Sequence, residues 1–264
     1  MNASRNSPDP LDWHRVIAPF RVIIEGGRSI LRWIGQHEIG VLITLLITAV
    51  AIWAFVALAN KVVRGRTSEI DEWAVKALRR ADDPSRPLGP KWLAEVGRDV
   101  TALGGVSVLV LLIAAVSGFL WLKRMYAAMT LVTLAALGGL LVSFGLKELF
   151  ARPRPNVVPH LAEVYTSSFP SGHSMLSATV YLTLGVLLGE FVESRTLRAY
   201  FLLVALVLTL LVGASRVYLG VHYPSDVLAG WAAGLAWALI CSLVARALKQ
   251  RGLATGDTAP MSPP

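Results

Sequence analysis

The chain has 264 residues, 55% of them hydrophobic and only 16% charged, with a mean hydropathy of +0.58. A soluble domain of this length does not carry so much apolar surface, so the composition points to a protein that crosses a membrane several times. The net charge of +8 and the pI near 10.0 are not gathered into a basic patch with aromatics, which argues against a nucleic-acid binder and for loop charge at a membrane surface.

Residues 1–12 are polar and include Pro8 and Pro10. No signal-peptide pattern opens the chain, because the first long apolar run begins near Ile39. Between Trp13 and Glu38, apolar residues mixed with arginines predict a helix lying on the inner membrane surface, broken near Gly26-Gly27. Ile39–Ala59 is long and apolar enough to be a first span. Lys61–Arg98 is a charged extramembrane loop with a helix of its own, since Ile70, Trp73, Ala74, Ala77 and Leu78 recur at helical spacing. Ser68 and Asp71 have the pattern of that helix's cap. Asp82-Asp83 stands beside a turn-forming Pro84-Ser85 with no third ligand near, so it reads as loop rather than as a metal site.

Ala102–Leu122 and Met125–Leu146 are the second and third predicted spans, joined by Lys123-Arg124. Ser174–Leu188, Ala199–Val212 and Val227–Val244 are the fourth to sixth. Gly104-Gly105, Gly138-Gly139, Gly185-x3-Gly189 and Gly230-x3-Gly234 predict close helix packing within the chain. Cys241 stands alone in an apolar run, so one chain holds neither a disulfide nor a cysteine-based metal site.

These readings add up to an all-α protein in three parts. Residues 1–38 are a cytoplasmic segment with an interfacial helix. Residues 39–250 are a six-span bundle with a helical extramembrane loop, and 251–264 are a tail disordered by composition. Six spans place both ends on one side, together with Lys123, Arg124, Arg195, Arg198, Arg246 and Lys249. By the positive-inside rule that side is the cytoplasm, although the basic Lys61–Arg98 loop on the other side opposes it.

Polar residues of another kind collect between the later spans. Gly213–Asp226 holds Arg216, a permanent cation with a planar donor fork, and His222, which can attack as a neutral imidazole. Pro224 suits the first turn of a helix and puts Asp226 near its third residue. From there the carboxylate can reach back to the His222 ring, as an acidic side chain does in a capping box. Lys147–Pro155 closes the preceding apolar run, and Ser168–His173 opens the next. Written out, the three stretches are K-x6-R-P, P-S-G-H and S-R-x5-H-x3-D. In this set and order the chain resembles the type 2 phosphatidic acid phosphatase family, whose fold is shared with vanadium haloperoxidases and bacterial acid phosphatases. The motifs match from Lys147 to Asp226 without gap or substitution, and the flanking apolar runs extend the likeness over most of the chain after residue 40.

Hydrolysis of a phosphate ester needs a nucleophile, an acid for the leaving oxygen and positive charge around the other oxygens. His222 is the predicted nucleophile, forming a phosphohistidine that water then cleaves. Asp226 orients it, and His173 is the general acid. Lys147, Arg154 and Arg216 clamp the phosphate oxygens. Ser171 and Gly172 begin a helix whose free N–H groups and dipole favour an anion. The resemblance assigns the same roles to these positions. Arg152, inside the spacer of the first motif, reads as a headgroup contact, and Tyr218 and Tyr223 read as interface anchors. His160 and Glu163 lie in the same loop outside any motif.

The expectation is therefore a bacterial inner-membrane lipid phosphatase with its site facing outward, needing no metal or other cofactor. Its partners are a lipid phosphate substrate and membrane lipids, and not nucleic acid. The candidate substrates are undecaprenyl diphosphate, phosphatidylglycerol phosphate and phosphatidic acid. An exterior site suits a lipid carrier that must be dephosphorylated before its return, which leans toward the first. Two other classes compete. A vanadate-dependent haloperoxidase is disfavoured by the spans, since such enzymes are soluble. A non-catalytic scaffold or transporter has no need of an aligned His222, His173 and Asp226.

Overall fold

The structure is a computed structural model and describes residues 39–163 and 166–250. The interfacial helix expected over 13–38 and the tail expected from 251 lie outside the described residues. The chain divides into two units between Thr44 and Leu45.

Among the described residues there are eight helices and no strand, only an isolated bridge between Arg79 and Pro87. They are α1 (Ile39–Val63), α2 (Ser68–Ala77), α3 (Lys91–Ala102), α4 (Val106–Leu122), α5 (Tyr126–Phe150), α6 (Gly172–Glu190), α7 (Arg195–Tyr218) and α8 (Pro224–Gln250). Five of these, α1 and α5 to α8, are each long and apolar enough to cross a bilayer. The expected second span, Ala102–Leu122, is α4, and it passes for a full span only together with α3, which meets it at 46° and which was expected to belong to the charged loop. The bend falls at Gly104-Gly105, where the orphan carbonyls of α3 accept from Leu103, Gly104 and Gly105 N–H. The Tyr181 hydroxyl donates to Leu103 O at 2.7 Å and so satisfies the bend from α6. A Cβ on Gly104 would stand 2.4 Å from Val212 of α7 and 3.2 Å from the His173 carbonyl, so the missing side chain is what lets the bend approach both helices.

The spans run past their predicted ends. Hydropathy marks the apolar slab, whereas the helical hydrogen-bond ladder continues into the polar layer. Lys147 and Arg216 are thus on the last turns of α5 and α7, and the loop expected over 147–173 is shortened to 151–171.

Helix α6 is the centre. It packs on α4, α5, α7 and α8, and two thirds of it (67%) is buried against 11–33% for the other single-helix spans. It is also the least apolar span, with mean hydropathy 1.2 against 2.0–2.7. Inside a membrane bundle small and hydroxylated residues give close packing, and their hydroxyls return to the helix backbone. Ser177 donates to Ser174 O, and Thr183 donates to Thr179 O. Gly230 and Gly234 bring α8 against α6, since a Cβ there would stand 2.6 Å from Ser171 O and 2.3 Å from Met175 O. Gly185 meets α7 at Ala205 and Phe201, so these small-residue pairs pack within the chain as expected. Helix α1 is the peripheral span. Its Phe55 ring stacks on Phe169 at 6.0 Å and meets Phe150 edge-on at 6.2 Å, while Trp53 is 70% exposed.

Between α1 and α3 the extramembrane segment folds back over the end of the bundle. The expected cap of α2 does not form: Thr67 is the N-cap residue without a side-chain bond, and Asp71 turns inward and is buried. Asp82 and Asp83 are engaged locally, with Arg80 at 3.0 Å and Arg86 at 3.1 Å respectively.

Candidate active site

Four helix ends meet here: the C-termini of α5 and α7 and the N-termini of α6 and α8. Tyr223 precedes Pro224 as the residue before α8, and its N–H donates to Asp226 Oδ2 at 2.9 Å. This is the reach-back expected of an acidic third residue. The same oxygen lies 3.5 Å from His222 Nδ1 and accepts from the Ser168 hydroxyl. On the other side of the ring, Arg154 Nη1 is 3.2 Å from His222 Nε2. An arginine only donates, so Nε2 presents its lone pair and Nδ1 carries the proton toward Asp226. Burial holds His222 well below its usual pKa, with Asp226 opposing and Arg216 and Arg154 adding to the shift. The ring is therefore neutral, with the nucleophilic nitrogen turned toward the cationic side.

Lys147 and Arg154 share Thr166: the ammonium donates to its hydroxyl at 3.2 Å and to Ser167 O at 2.6 Å, and Arg154 donates to its carbonyl at 2.7 Å. Arg154 also donates to Val221 O at 2.8 Å, so one guanidinium spans the first and third motifs. Burial lowers its pKa, opposed by Asp226. Arg216 is buried and donates from Nη1 to Thr101 at 3.0 Å, while its Nε has no partner among the described residues. His173, in the first turn of α6, lies within electrostatic range of Arg216, His222, Lys147 and Arg154. All the motif residues thus converge on one place.

Ser171 differs from expectation. Its hydroxyl accepts from Ser174 N–H and Ser174 Oγ, and its own N–H donates to Asp226 O at 2.9 Å. It caps α6 and ties it to α8. The N–H groups that helix geometry leaves over are those of Gly172 and His173. A Cβ on Gly172 would stand 3.2 Å from Lys147 Cε, so glycine admits the lysine stem.

Arg152 departs further from its reading as a headgroup contact. Its guanidinium is turned inward, onto Asp226, Ser225 and Asp71, and lies 4.5 Å over the Tyr223 ring. Burial depresses its pKa, but the Asp226 and Asp71 carboxylates outweigh that and raise it. Tyr223 is accordingly buried rather than an interface anchor. Tyr218 donates to Leu88 O at 2.8 Å, and His160 lies 2.6 Å from Pro155 O, so both brace loops. Thr101 comes from α3, and Asp71 and Arg79 come from the extramembrane segment before it. Arg79 donates to Tyr218 O at 2.9 Å, capping the helix that carries Arg216. Gly220, at φ +74°, makes the turn beside it, where a Cβ would stand 2.5 Å from Arg79 Nη2. Nothing in the local sequence marks these three, because their partners are remote in the chain.

Residues 127–250 match the PAP2 superfamily. The chain is 34% identical over 185 residues to the phosphatidylglycerophosphatase B of Bacillus subtilis, covering 69% of this chain and 86% of that one. It is 38% identical over 67 residues to the undecaprenyl-diphosphatase of Sulfolobus acidocaldarius, 25% of this chain and 28% of the other. The crystal structure of a transmembrane PAP2 type phosphatidylglycerolphosphate phosphatase from Bacillus subtilis superposes with a TM-score of 0.70 at 30% identity, covering 77% of this chain and 98% of that one. A sequence match over most of a relative's length and a fold match over nearly all of a solved structure agree with the three motifs gathered at one bundle end, and the chain belongs to the PAP2 superfamily.

Proposed function

We propose that this multi-pass membrane protein is a lipid phosphatase in which His222 Nε2 attacks the phosphorus of a lipid phosphate. The observation that carries the reading is the His222 ring, neutral and held between Asp226 at Nδ1 and Arg154 at Nε2. As the N–P bond forms, the P–O bond to the leaving group breaks, and His173 supplies the proton that the leaving oxygen takes. Lys147, Arg154 and Arg216, with the Gly172 and His173 N–H groups, stabilise the charge on the remaining oxygens. Asp226 stabilises the imidazolium that develops. Water then attacks the phosphohistidine and returns the ring.

The relative matched over most of its length is named for phosphatidylglycerol phosphate, which makes that lipid the first substrate to test and undecaprenyl diphosphate the second. The site is assigned to the outer face of a bacterial inner membrane, with the chain's ends in the cytoplasm. The support is the alternation of the spans and the basic residues at Lys123, Arg124, Arg195 and Arg198.

His222→Ala should lower phosphate release from either lipid in detergent micelles by roughly a thousandfold or more, with the protein still folded. Activity within tenfold of wild type would overturn the assignment. His173→Ala should slow the monoester more than the diphosphate, whose leaving group is less basic and needs the proton less. Equal losses on the two substrates count against the acid role.

A further inference from the structure

Behind Asp226 lies a second layer of charge that the three motifs do not include. Asp71, on α2 and only 2% exposed, accepts from Ser225 N–H at Oδ1 (3.0 Å) and from Ser225 Oγ and Arg152 Nη2 (2.9 Å) at Oδ2. Arg152 uses its other nitrogen on Asp226 Oδ1 at 2.6 Å and on Ser225 Oγ at 2.8 Å. One guanidinium thus bridges two buried carboxylates that stand on different helices, with Tyr223 beneath it. The oxygens of Asp226 are divided: Oδ1 is held by Arg152, and Oδ2 serves Tyr223 N–H, Ser168 and the His222 ring.

We propose that Arg152 and Asp71 are positioning residues for the phosphoryl transfer: Arg152 fixes and part-neutralises Asp226, and Asp71 fixes Arg152 and the first turn of α8. This rests on His222 being the nucleophile. A buried carboxylate with one oxygen left without a donor can turn, and it draws more strongly on a neighbouring proton. Without Arg152 the His222 ring becomes easier to protonate, and a protonated ring cannot attack. The charged groups that face this pair are Arg154, Arg216 and His173 around His222, and Lys147, Arg154 and Arg152 around Asp226. Among the described residues only Arg152 contacts the carboxylate from behind. Lysine in its place restores the charge but not the two-pronged bridge.

The test is steady-state hydrolysis of short-chain phosphatidic acid in mixed micelles by the full chain, across pH, for Arg152→Gln, Arg152→Lys, Asp71→Asn, Arg152→Gln/Asp71→Asn and His222→Ala. Arg152→Gln should lower kcat about tenfold to a hundredfold, the range for groups that orient a reacting side chain from behind. KM should stay within about threefold, and the acid limb of the kcat profile should move to higher pH. Arg152→Lys should recover part of the loss. The double variant, which no longer buries two unpaired carboxylates, should melt higher than Arg152→Gln alone and be no slower, because Asp71 acts through Arg152. Asp71→Asn keeps its shape and its Ser225 bond. It serves if Arg152→Gln does not fold, and it should show a smaller kcat loss; with Arg152 still charged beside Asp226 and one buried carboxylate fewer, its acid limb should not move to higher pH. The proposal is overturned by a kcat near wild type in folded Arg152→Gln or Asp71→Asn, by a loss confined to KM, or by an unmoved acid limb in Arg152→Gln. An active His222→Ala overturns the underlying reading instead; an inactive His222→Ala beside a fully active Arg152→Gln overturns this proposal alone.

Discussion

His222 meets opposite partners at its two ring nitrogens, and its burial decides its protonation. Burial, with Arg216 and Arg154 assisting and Asp226 opposing, brings the ring down to about 3, while in the unfolded chain it returns to about 6.5. The unfolded chain therefore takes up the proton first, so stability is full above about 6.5 and falls as the pH drops toward 3. His222→Asn removes that contribution, and its loss of Tm between pH 7 and pH 5 should be smaller than in the wild type. An equal loss in both would show that the folded ring is already charged. The pairing of His222 with Asp226 was legible in the sequence because Pro224 opens the helix and leaves Asp226 in its first turn, within reach back to the residues before it. The true place of Arg152 was not, because its partners Ser225, Asp226 and Asp71 stand 73, 74 and 81 positions away. An arginine near a predicted membrane surface has solvent and headgroups as its default partners. Only the fold offers it two buried carboxylates.

At the scale of the element, hydropathy found every span but could not rank them. It gave the highest values to helices that face lipid and the lowest to α6, which faces protein on most sides. The glycines carry the packing information instead, and they are not equivalent. Gly234→Ala puts a methyl 2.3 Å from the Met175 carbonyl, backbone that cannot step aside, and should cost about 1–3 kcal/mol through overpacking. Gly118→Ala on α4 meets nothing within 4 Å and should be neutral or stabilising, by up to about 1 kcal/mol from helix propensity. Thermal unfolding in detergent, followed by tryptophan fluorescence, should separate the two. Equal melting temperatures would mean that α6 and α8 are not in the contact described. Helix α3 was not read as part of a span, because Lys91, Glu95, Arg98 and Asp99 give it the charge of a loop, and the predicted second span began only at Ala102.

For the whole molecule the proposed orientation sets the accessibility of single cysteines. In a Cys241→Ser background, a cysteine at the exposed Glu163 should react with a membrane-impermeant thiol reagent on intact cells. One at Arg195, at the opposite end of the bundle, should react only after the membrane is opened. The reverse pattern would move the site to the cytoplasm. The extramembrane segment bears on a different matter, that of where the working unit begins. The match to the superfamily starts at residue 127, yet Arg216 is held by Thr101, Tyr218 O by Arg79 and Ser225 by Asp71. A chain begun at the first matched residue would keep every motif and lose the acceptor, the cap and the counter-charge that set them. Exchanging residues 68–101 with those of a relative is thus a change to the supports of the proposed site, to be matched at Arg152, Arg216 and Ser225 before the hybrid can be expected to work.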